Sequence, residues 1–180
     1  MRPWRLLLSS MSVLACVAAG SAHQLDGANT HVSFDIERLG LRWFSVEFRE
    51  LRGEFAPAPD GQEPHLTVVV RTASVDARSA YWNERLRSPQ WLDTERFPEM
   101  VFRSTAIRFE PGSQATVQGE LTLHGVTRPL TLLISDLDCP QVVPAGCRFL
   151  GRASLRRSEF GIPHGFWVGG DRVQILVRGE

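Results

Sequence analysis

The histidines are the first candidates for chemistry in this chain, because an imidazole can ligate a metal or move a proton near neutral pH. Four of them lie near predicted turns or strand ends without the spacing of zinc ligands: His31, His65, His124 and His164. The sequence contains no G-x-S-x-G segment, which is typical of a hydrolase nucleophile. Most carboxylates fall on outward strand positions, where solvation is the default. These residues therefore predict neither a catalytic group nor a metal site.

His23 offers one further metal interpretation, because it becomes the first residue if the chain is cleaved after Ala22. Its free amine and its imidazole could then hold copper together. A second histidine would have to approach this site. A plain terminal residue is therefore the favoured interpretation.

Arg157 is the polar residue of most interest, because strand alternation places it on the inward side with Ala153 and Leu155. A buried guanidinium needs a partner. Glu159, Asp171 or a carbonyl of the predicted helical segment could supply one. An ion pair that closes the barrel end is favoured over contact with a ligand headgroup. We therefore expect Arg157 at a polar end of the interior.

Cys139 and Cys147 flank a short loop, CPQVVPAGC, with two prolines and a glycine. In an exported chain this even pair predicts a disulfide that pins the loop. The loop is short, so the chain-entropy model gives about 2–3 kcal/mol of stabilisation. A metal-binding thiol pair is the alternative, but neither a C-x-x-C spacing nor a nearby histidine supports it.

The first 22 residues have the pattern of a secretory signal peptide. A basic start is followed by an apolar run over residues 6–19 and by small residues before the predicted cleavage after Ala22, with Ala19 as the second choice. The apolar run is too short to be a transmembrane helix. The sequence thus predicts a signal over residues 1–22, one mature domain over residues 23–180, and export, with the bacterial periplasm as the expected compartment.

A lipoprotein signal is the alternative for this segment, and it rests on the sequence Val-Leu-Ala-Cys that ends at Cys16. Leu14 fits poorly at a position that usually holds a small or β-branched residue. Anchoring through a lipid on Cys16 is therefore the less favoured prediction.

Charge argues against nucleic acid as a partner. The formal net charge of the whole chain is zero, and removal of Arg2 and Arg5 with the signal leaves the mature chain slightly acidic. No stretch forms a basic stripe, the feature that nucleic-acid binding requires.

The most regular pattern lies in residues 115–134, ATVQGELTLHGVTRPLTLLI. Apolar and polar residues alternate with the period of two that a half-buried strand shows. His124 and Gly125 provide a turn, since glycine adopts positive φ without steric cost. The segment therefore predicts a β-hairpin, which needs a larger sheet for stability.

The rest of the chain shows similar extended segments, about eight in all at hairpin spacing. A parity shift between Phe48 and Leu51 predicts a bulge. Residues 78–88 interrupt the pattern with a short predicted helix, in which Trp82 and Leu86 lie one turn apart. The chain shows no βαβ rhythm. It predicts an all-β fold, either an antiparallel sandwich or a closed barrel, with one helical excursion.

Three stretches, in order, resemble the YceI-like family of exported polyisoprenoid-binding proteins. Residues 85–104, RLRSPQWLDTERFPEMVFRS, resemble the family's passage from helix to strand. Residues 118–132, QGELTLHGVTRPLTL, resemble its G-x-L-t-l-r-G-v-t-r hairpin. Residues 157–162, RSEFGI, and 168–173, VGGDRV, resemble its C-terminal motif. Together these matches extend over nearly the whole mature chain.

Two positions depart from the family pattern: Glu159 stands where aspartate is usual, and Trp91 where phenylalanine is usual. The resemblance implies an approximately eight-stranded, antiparallel, lipocalin-like β-barrel with a long apolar cavity. It also implies a bound isoprenoid quinone or polyprenyl lipid, no catalytic cofactor, and transient contact with a membrane or membrane protein for lipid exchange.

The residues expected to line this cavity share the inward parity of their strands or belong to the aromatic excursion. They are Phe34, Ile36, Val68, Val70, Trp82, Leu86, Trp91, Phe102, Leu121, Leu123, Leu132, Ile134, Phe149, Leu155, Val173 and Ile175. Small residues at inward parity are expected to leave room for a ligand: Ala106, Gly119, Gly151 and Ala153.

Two other functions compete with lipid carriage. An enzyme acting on an apolar substrate in the same barrel would need convergent polar groups deep in the cavity, and the inward positions are almost all apolar. A packed barrel without a cavity is the third interpretation, because eight strands enclose a space that side chains alone can fill.

Overall fold

The structure is a computed structural model that describes residues 23–56, 63–139, 147–164 and 170–179. The predicted signal peptide and the alternative lipid attachment at Cys16 lie outside the described residues. So does the side chain of His23, on which the copper interpretation depends. No helix in the described part of the chain is long and apolar enough to cross a bilayer.

Eleven strands and one α-helix make up the described chain. The strands are β1 (His23–Asp26), β2 (Thr30–Arg38), β3 (Leu41–Phe48), β4 (Leu51–Ala56), β5 (His65–Arg71), β6 (Val75–Asp76), β7 (Glu99–Glu110), β8 (Gln114–Leu123), β9 (Val126–Asp138), β10 (Arg148–Arg156) and β11 (Arg172–Gly179). Helix α1 (Ala80–Arg87) and two 3-10 helices (Thr72–Ser74 and Arg157–Phe160) complete the elements. Ser79 caps α1 by accepting a hydrogen bond from the Trp82 amide.

The strands pair antiparallel in the order β1-β4-β5-β7-β8-β9-β10-β11-β2-β3-β6. Residues 27–29 separate β1 from β2, and residues 49–50 separate β3 from β4. β1 thus continues into β2 as one bent strand, and β3 continues into β4 as another. β1 and β4 pair near one end of the order and β2 and β3 near the other, so the same two bent strands lie at both ends. The sheet therefore curls closed, and the predicted antiparallel barrel is confirmed.

The strand count exceeds the predicted eight because both of these long strands are interrupted and β6 adds a two-residue bridge. The break between Phe48 and Leu51 falls where the parity shift predicts a bulge. A register shift between Ser104 and Ala106 has a larger effect. It pairs Ala106 with the exposed Gln118, so Ala106 belongs to the outer face, and its predicted inward position is wrong.

The hairpin predicted around His124 and Gly125 is present. Both residues have positive φ, 52° and 73°, which matches a tight turn between twisted strands. The turn also makes tertiary contacts. The His124 ring lies 4.8 Å from the Phe97 ring, and its Nδ1 lies 3.1 Å from the Phe160 carbonyl oxygen. The hairpin tip is thereby joined to the segments at one end of the barrel.

That end is filled by a cluster that we call the plug, formed by Leu86, Trp91, Leu92, Phe160 and Ile162. All five side chains are buried, and Phe160 is only 1% exposed. The plug packs in one core with the inward residues of the neighbouring strand ends. It closes the barrel at this end.

Asp76 connects residues 77–83, which lead to the plug residue Leu86, to the barrel wall. Its Oδ2 accepts hydrogen bonds from Arg49, one of them from Nε at 2.9 Å. Its Oδ1 accepts from the Arg78 amide at 2.9 Å and from Asn83 Nδ2 at 3.1 Å, and Asn83 Oδ1 accepts from the Ala77 amide at 2.7 Å. The Arg49 hydrogen bond, followed by those from Arg78 and Asn83, lowers the pKa of Asp76 from 3.8 to about 2.

Gly119 allows a large side chain to cross the interior. A Cβ atom there would lie 2.3 Å from the Arg103 carbonyl oxygen and 2.6 Å from Phe102 Cζ. The space expected for a ligand beside Gly119 is therefore occupied by the Phe102 ring. At Gly151 the corresponding neighbours are side-chain tips, Ile134 Cδ1 at 3.1 Å and Leu132 Cδ2 at 3.2 Å.

We predict that Gly119→Ala lowers the free energy of unfolding by about 1–3 kcal/mol, because the added methyl group meets rigid backbone and an aromatic ring. Gly151→Ala is the matched control, with a smaller loss, because flexible side-chain ends can move. Urea unfolding followed by fluorescence measures both. Equal losses in the two variants would contradict the proposed close packing at Gly119.

We predict that Asp76→Asn lowers the free energy of unfolding at pH 7. The difference in this free energy between the variant and the parent should shrink as pH falls from about 5 towards 2. The folded-state pKa lies below the ordinary value, so the ionised carboxylate stabilises the fold above that value and loses this effect on protonation. Unfolding curves at several pH values test this. Glu95→Gln, at an exposed position, is the control. A pH-independent deficit would contradict the prediction.

Candidate functional site

The barrel contains an apolar cavity of about 410 Å³ in the half that the plug does not fill. Its floor is formed by the lining residues nearest the plug: Val70, Met100, Leu121 and Leu130. It opens beside Phe109, which lines the cavity and is 65% exposed. A cavity of this size and character is typical of a site for a small apolar ligand.

The wall is apolar throughout its described residues, apart from one hydroxyl and the cystine sulfurs. That hydroxyl belongs to Thr30, and it lies 3.0 Å from Asn29 Oδ1, to which it donates a hydrogen bond. Main-chain groups in the surrounding strands are largely taken up by the antiparallel ladders. The cavity therefore offers a ligand dispersion contacts and exclusion from water rather than hydrogen bonds.

Nine of the sixteen residues expected in the lining are found there. They come from seven different strands and surround one space: Phe34, Val68, Val70, Phe102, Leu121, Leu132, Ile134, Phe149 and Ile175. The period of two in the sequence thus identifies side chains that converge in the structure.

The other seven expected residues lie outside the lining. Six are buried in the closed half of the barrel: Ile36, Leu86, Trp91, Leu123, Leu155 and Val173. Trp82 is half-buried on the helix, with its ring 5.2 Å from that of Phe44. Leu86 and Trp91 belong to the plug itself. The four strand residues of this group, Ile36, Leu123, Leu155 and Val173, face inward as predicted but lie outside the cavity, because alternation specifies the inward face of a strand and not the depth along the barrel axis.

Arg157 is also outside the cavity lining, so it does not form a polar end of the cavity. It is 3% exposed, and its Nε and Nη2 donate to the Gly170 carbonyl oxygen at 3.1 and 2.6 Å. Its guanidinium carbon lies 5.3 Å from the Trp91 ring centroid. Burial lowers the pKa of Arg157, and the Asp171 carboxylate partly offsets this effect. Arg157 thus holds the closed end together.

Sequence reasoning did not include several residues that line the cavity. Val32, Val117 and Val177 share the inward parity of residues already chosen, so a complete parity count would have found them. Others come from short segments, Leu25, Phe55 and Pro64, or follow an irregularity within a long strand, Phe109 and Leu137, so that simple alternation does not identify them.

The cystine lies at the opening of the cavity. Cys139 and Cys147 are joined by a disulfide with their Cα atoms 4.2 Å apart, and both residues line the cavity. Cys147 is buried, whereas Cys139 is exposed. The loop between them, residues 140–146, lies outside the described residues. The bond fixes the distance between the end of β9 and the start of β10 at the cavity entrance.

Groups suited to catalysis or metal binding do not converge on the cavity among the residues that the structure describes. Among the described residues, no three histidine, cysteine, aspartate or glutamate side chains form a group that could hold a metal ion. His124 lies between Phe97 and the Phe160 carbonyl at the plug, away from the cavity lining.

Comparisons with known proteins agree with this architecture. Residues 23–180 match the family model of the YceI-like domain. The chain is 33% identical to protein YceI of Escherichia coli over 187 residues, covering 97% of this chain and 94% of that protein. Among solved structures, Burkholderia cenocepacia BcnA aligns with a TM-score of 0.73 at 23% identity, covering 85% of this chain and 96% of BcnA.

A polyisoprenoid binding domain from Saccharophagus degradans, described as implicated in plant cell wall breakdown, aligns with a TM-score of 0.60 at 14% identity. That alignment covers 88% of this chain and 97% of the domain. The two structural similarities show a shared barrel fold. The match of the family model to residues 23–180 and the similarity to protein YceI show that this chain belongs to the YceI-like family.

Proposed function

We propose that this protein is an exported, non-catalytic carrier that binds the tail of an isoprenoid lipid, such as an isoprenoid quinone or a polyprenyl chain. The observation that carries the proposal is the apolar cavity of about 410 Å³, whose described wall contains one hydroxyl that is already hydrogen-bonded. The Saccharophagus degradans domain, a polyisoprenoid binding domain by its description, has the same fold and supports this ligand class.

The cavity volume sets the length of tail that fits. We assign each heavy atom of the tail about 30 Å³, which is the share of one molecule in liquid water. At that volume, a space of 410 Å³ holds about three isoprene units of five carbons each. Burying their carbons contributes roughly 12 kcal/mol at about 0.8 kcal/mol per CH₂. Association and ordering remove much of this gain. A net gain of about 8 kcal/mol after these costs would correspond to micromolar binding without any specific polar contact.

Binding rather than catalysis is favoured by what surrounds the ligand space. An enzyme on this fold would need an acid, a base, a nucleophile or a metal directed into the cavity. The described lining supplies none of these groups, and its single hydroxyl, on Thr30, is hydrogen-bonded to Asn29. An enzyme acting on an apolar substrate remains the alternative function, and turnover of a bound lipid would reveal it.

Export follows from the signal-like segment over residues 1–22, and the periplasm is the compartment we propose. The cystine at the cavity opening suits an oxidising compartment. A lipid with a long apolar tail is nearly insoluble in that space. A carrier would therefore load and unload by transient contact with a membrane or a membrane protein.

Native mass spectrometry of protein from the periplasmic fraction is expected to show a bound lipid, which solvent extraction would identify. Leu121→Arg places a charge at the cavity floor and is expected to abolish this bound mass. Gln118→Arg, on the exposed face of the same strand, is the control and is expected to retain it. Equal lipid occupancy in both folded variants would contradict the proposal. So would a parent protein whose cavity is filled by its own side chains and holds no lipid.

A series of prenyl alcohols tests the cavity length. Affinity is expected to rise steeply from two to three isoprene units and then to level off, because about three units fill the space. Isothermal titration with geraniol, farnesol and geranylgeraniol gives the three dissociation constants. A continued tenfold gain from three to four units would show a longer binding channel than the described cavity.

A further inference from the structure

We propose that the lipid enters this barrel tail first and that its headgroup stays outside the cavity, so that the protein selects a tail and is indifferent to an uncharged headgroup. This inference rests on the proposed function and specifies the ligand that the site accepts. It follows from the distribution of polar groups along the cavity.

The floor offers no partner to a headgroup. Val70, Met100, Leu121 and Leu130 form it, and behind them Leu123, Leu155 and Val173 are all at most 7% exposed. A quinone carbonyl or a hydroxyl placed there would lose its hydrogen bonds to water and gain none. A terminal isoprene unit loses nothing at the same position.

The buried charge of Arg157 at this end of the barrel does not alter that conclusion. Arg157 lies among the plug residues, against Trp91, and its guanidinium donates to the Gly170 carbonyl oxygen. It is absent from the cavity lining. A headgroup at the floor would be separated from it by packed apolar side chains.

The polar surroundings lie at the opposite end. The strand ends at the opening carry five carboxylates among the described residues: Glu54, Glu63, Glu110, Asp136 and Asp138. Three arginines occupy the same strand ends, Arg108, Arg148 and Arg178, together with His31 and His65, and Arg148 pairs with Asp138 at 2.5 Å. A headgroup at the opening is therefore solvated, in a surrounding that is mildly acidic.

The acidic opening has a consequence for charged headgroups. A phosphate or diphosphate would meet more carboxylates than arginines there, and it would be disfavoured relative to an alcohol or a quinone. This effect depends on exposed charges, so salt should screen it.

The orientation is tested with two dansyl-labelled C15 prenyl chains, one labelled at the headgroup end and one at the distal end. Fluorescence titration is expected to give the head-labelled chain a dissociation constant within about threefold of farnesol. The tail-labelled chain is expected to bind at least tenfold more weakly, because the label cannot enter beside the tail. The opposite order, or equal binding of both, would overturn the inference.

A headgroup series separates this inference from the proposed function. Farnesol and farnesyl methyl ether are expected to bind within about threefold of each other at pH 8. Farnesyl phosphate is expected to bind at least threefold more weakly at low salt, and the gap should close at about 0.5 M salt. A tenfold preference for the alcohol over the ether, or a preference for the phosphate, would overturn the inference while leaving lipid binding intact.

Two charge substitutions test whether the carboxylates at the opening disfavour a charged headgroup. Glu63→Lys at the opening is expected to narrow the difference in affinity between farnesol and farnesyl phosphate, whereas Glu95→Lys, at an exposed position near the plug residue Leu92, should not change it. Equal effects of the two substitutions would contradict a role for the opening. Failure of farnesol and both labelled chains to bind would overturn the proposed function itself, and this inference with it.

Discussion

The packing of the plug against the inward strand ends is the contact on which the interior of this barrel depends. Phe160 is 1% exposed and Trp91 4%, and both join the core formed by the strands. An eight-stranded barrel is narrow enough for side chains to fill it. Here they fill one half only, because the plug enters from one end. The space that remains in the other half is the cavity.

Sequence alternation predicted which side of each strand faces inward, but it could not predict depth. Phe34 and Ile36 have the same parity on β2, yet only Phe34 lines the cavity while Ile36 is buried in the closed half. Depth is set by where the plug ends, and that depends on contacts between segments far apart in sequence. β1 was not predicted because its four residues show no alternation that would mark a strand.

The small residues give a second example of this limit. Gly119 suggested empty space because it lacks a side chain, but the Phe102 ring on the neighbouring strand occupies that space. Ala106 was expected inside, and one register shift moved it to the outer face. Arg157 was correctly expected to be buried with a polar partner, but the partner is the Gly170 carbonyl, which a local pattern does not reveal.

Closure of the barrel by the plug also limits the way in which such a protein could carry a lipid. The described cavity opens at one end, so a lipid carried in it would leave by the route through which it entered, and the protein would present the same face to donor and acceptor in turn. A cavity of this kind could not span two bilayers and let lipids diffuse continuously from one to the other. Delivery would proceed one molecule at a time, at a pace set by rotation, diffusion and encounter.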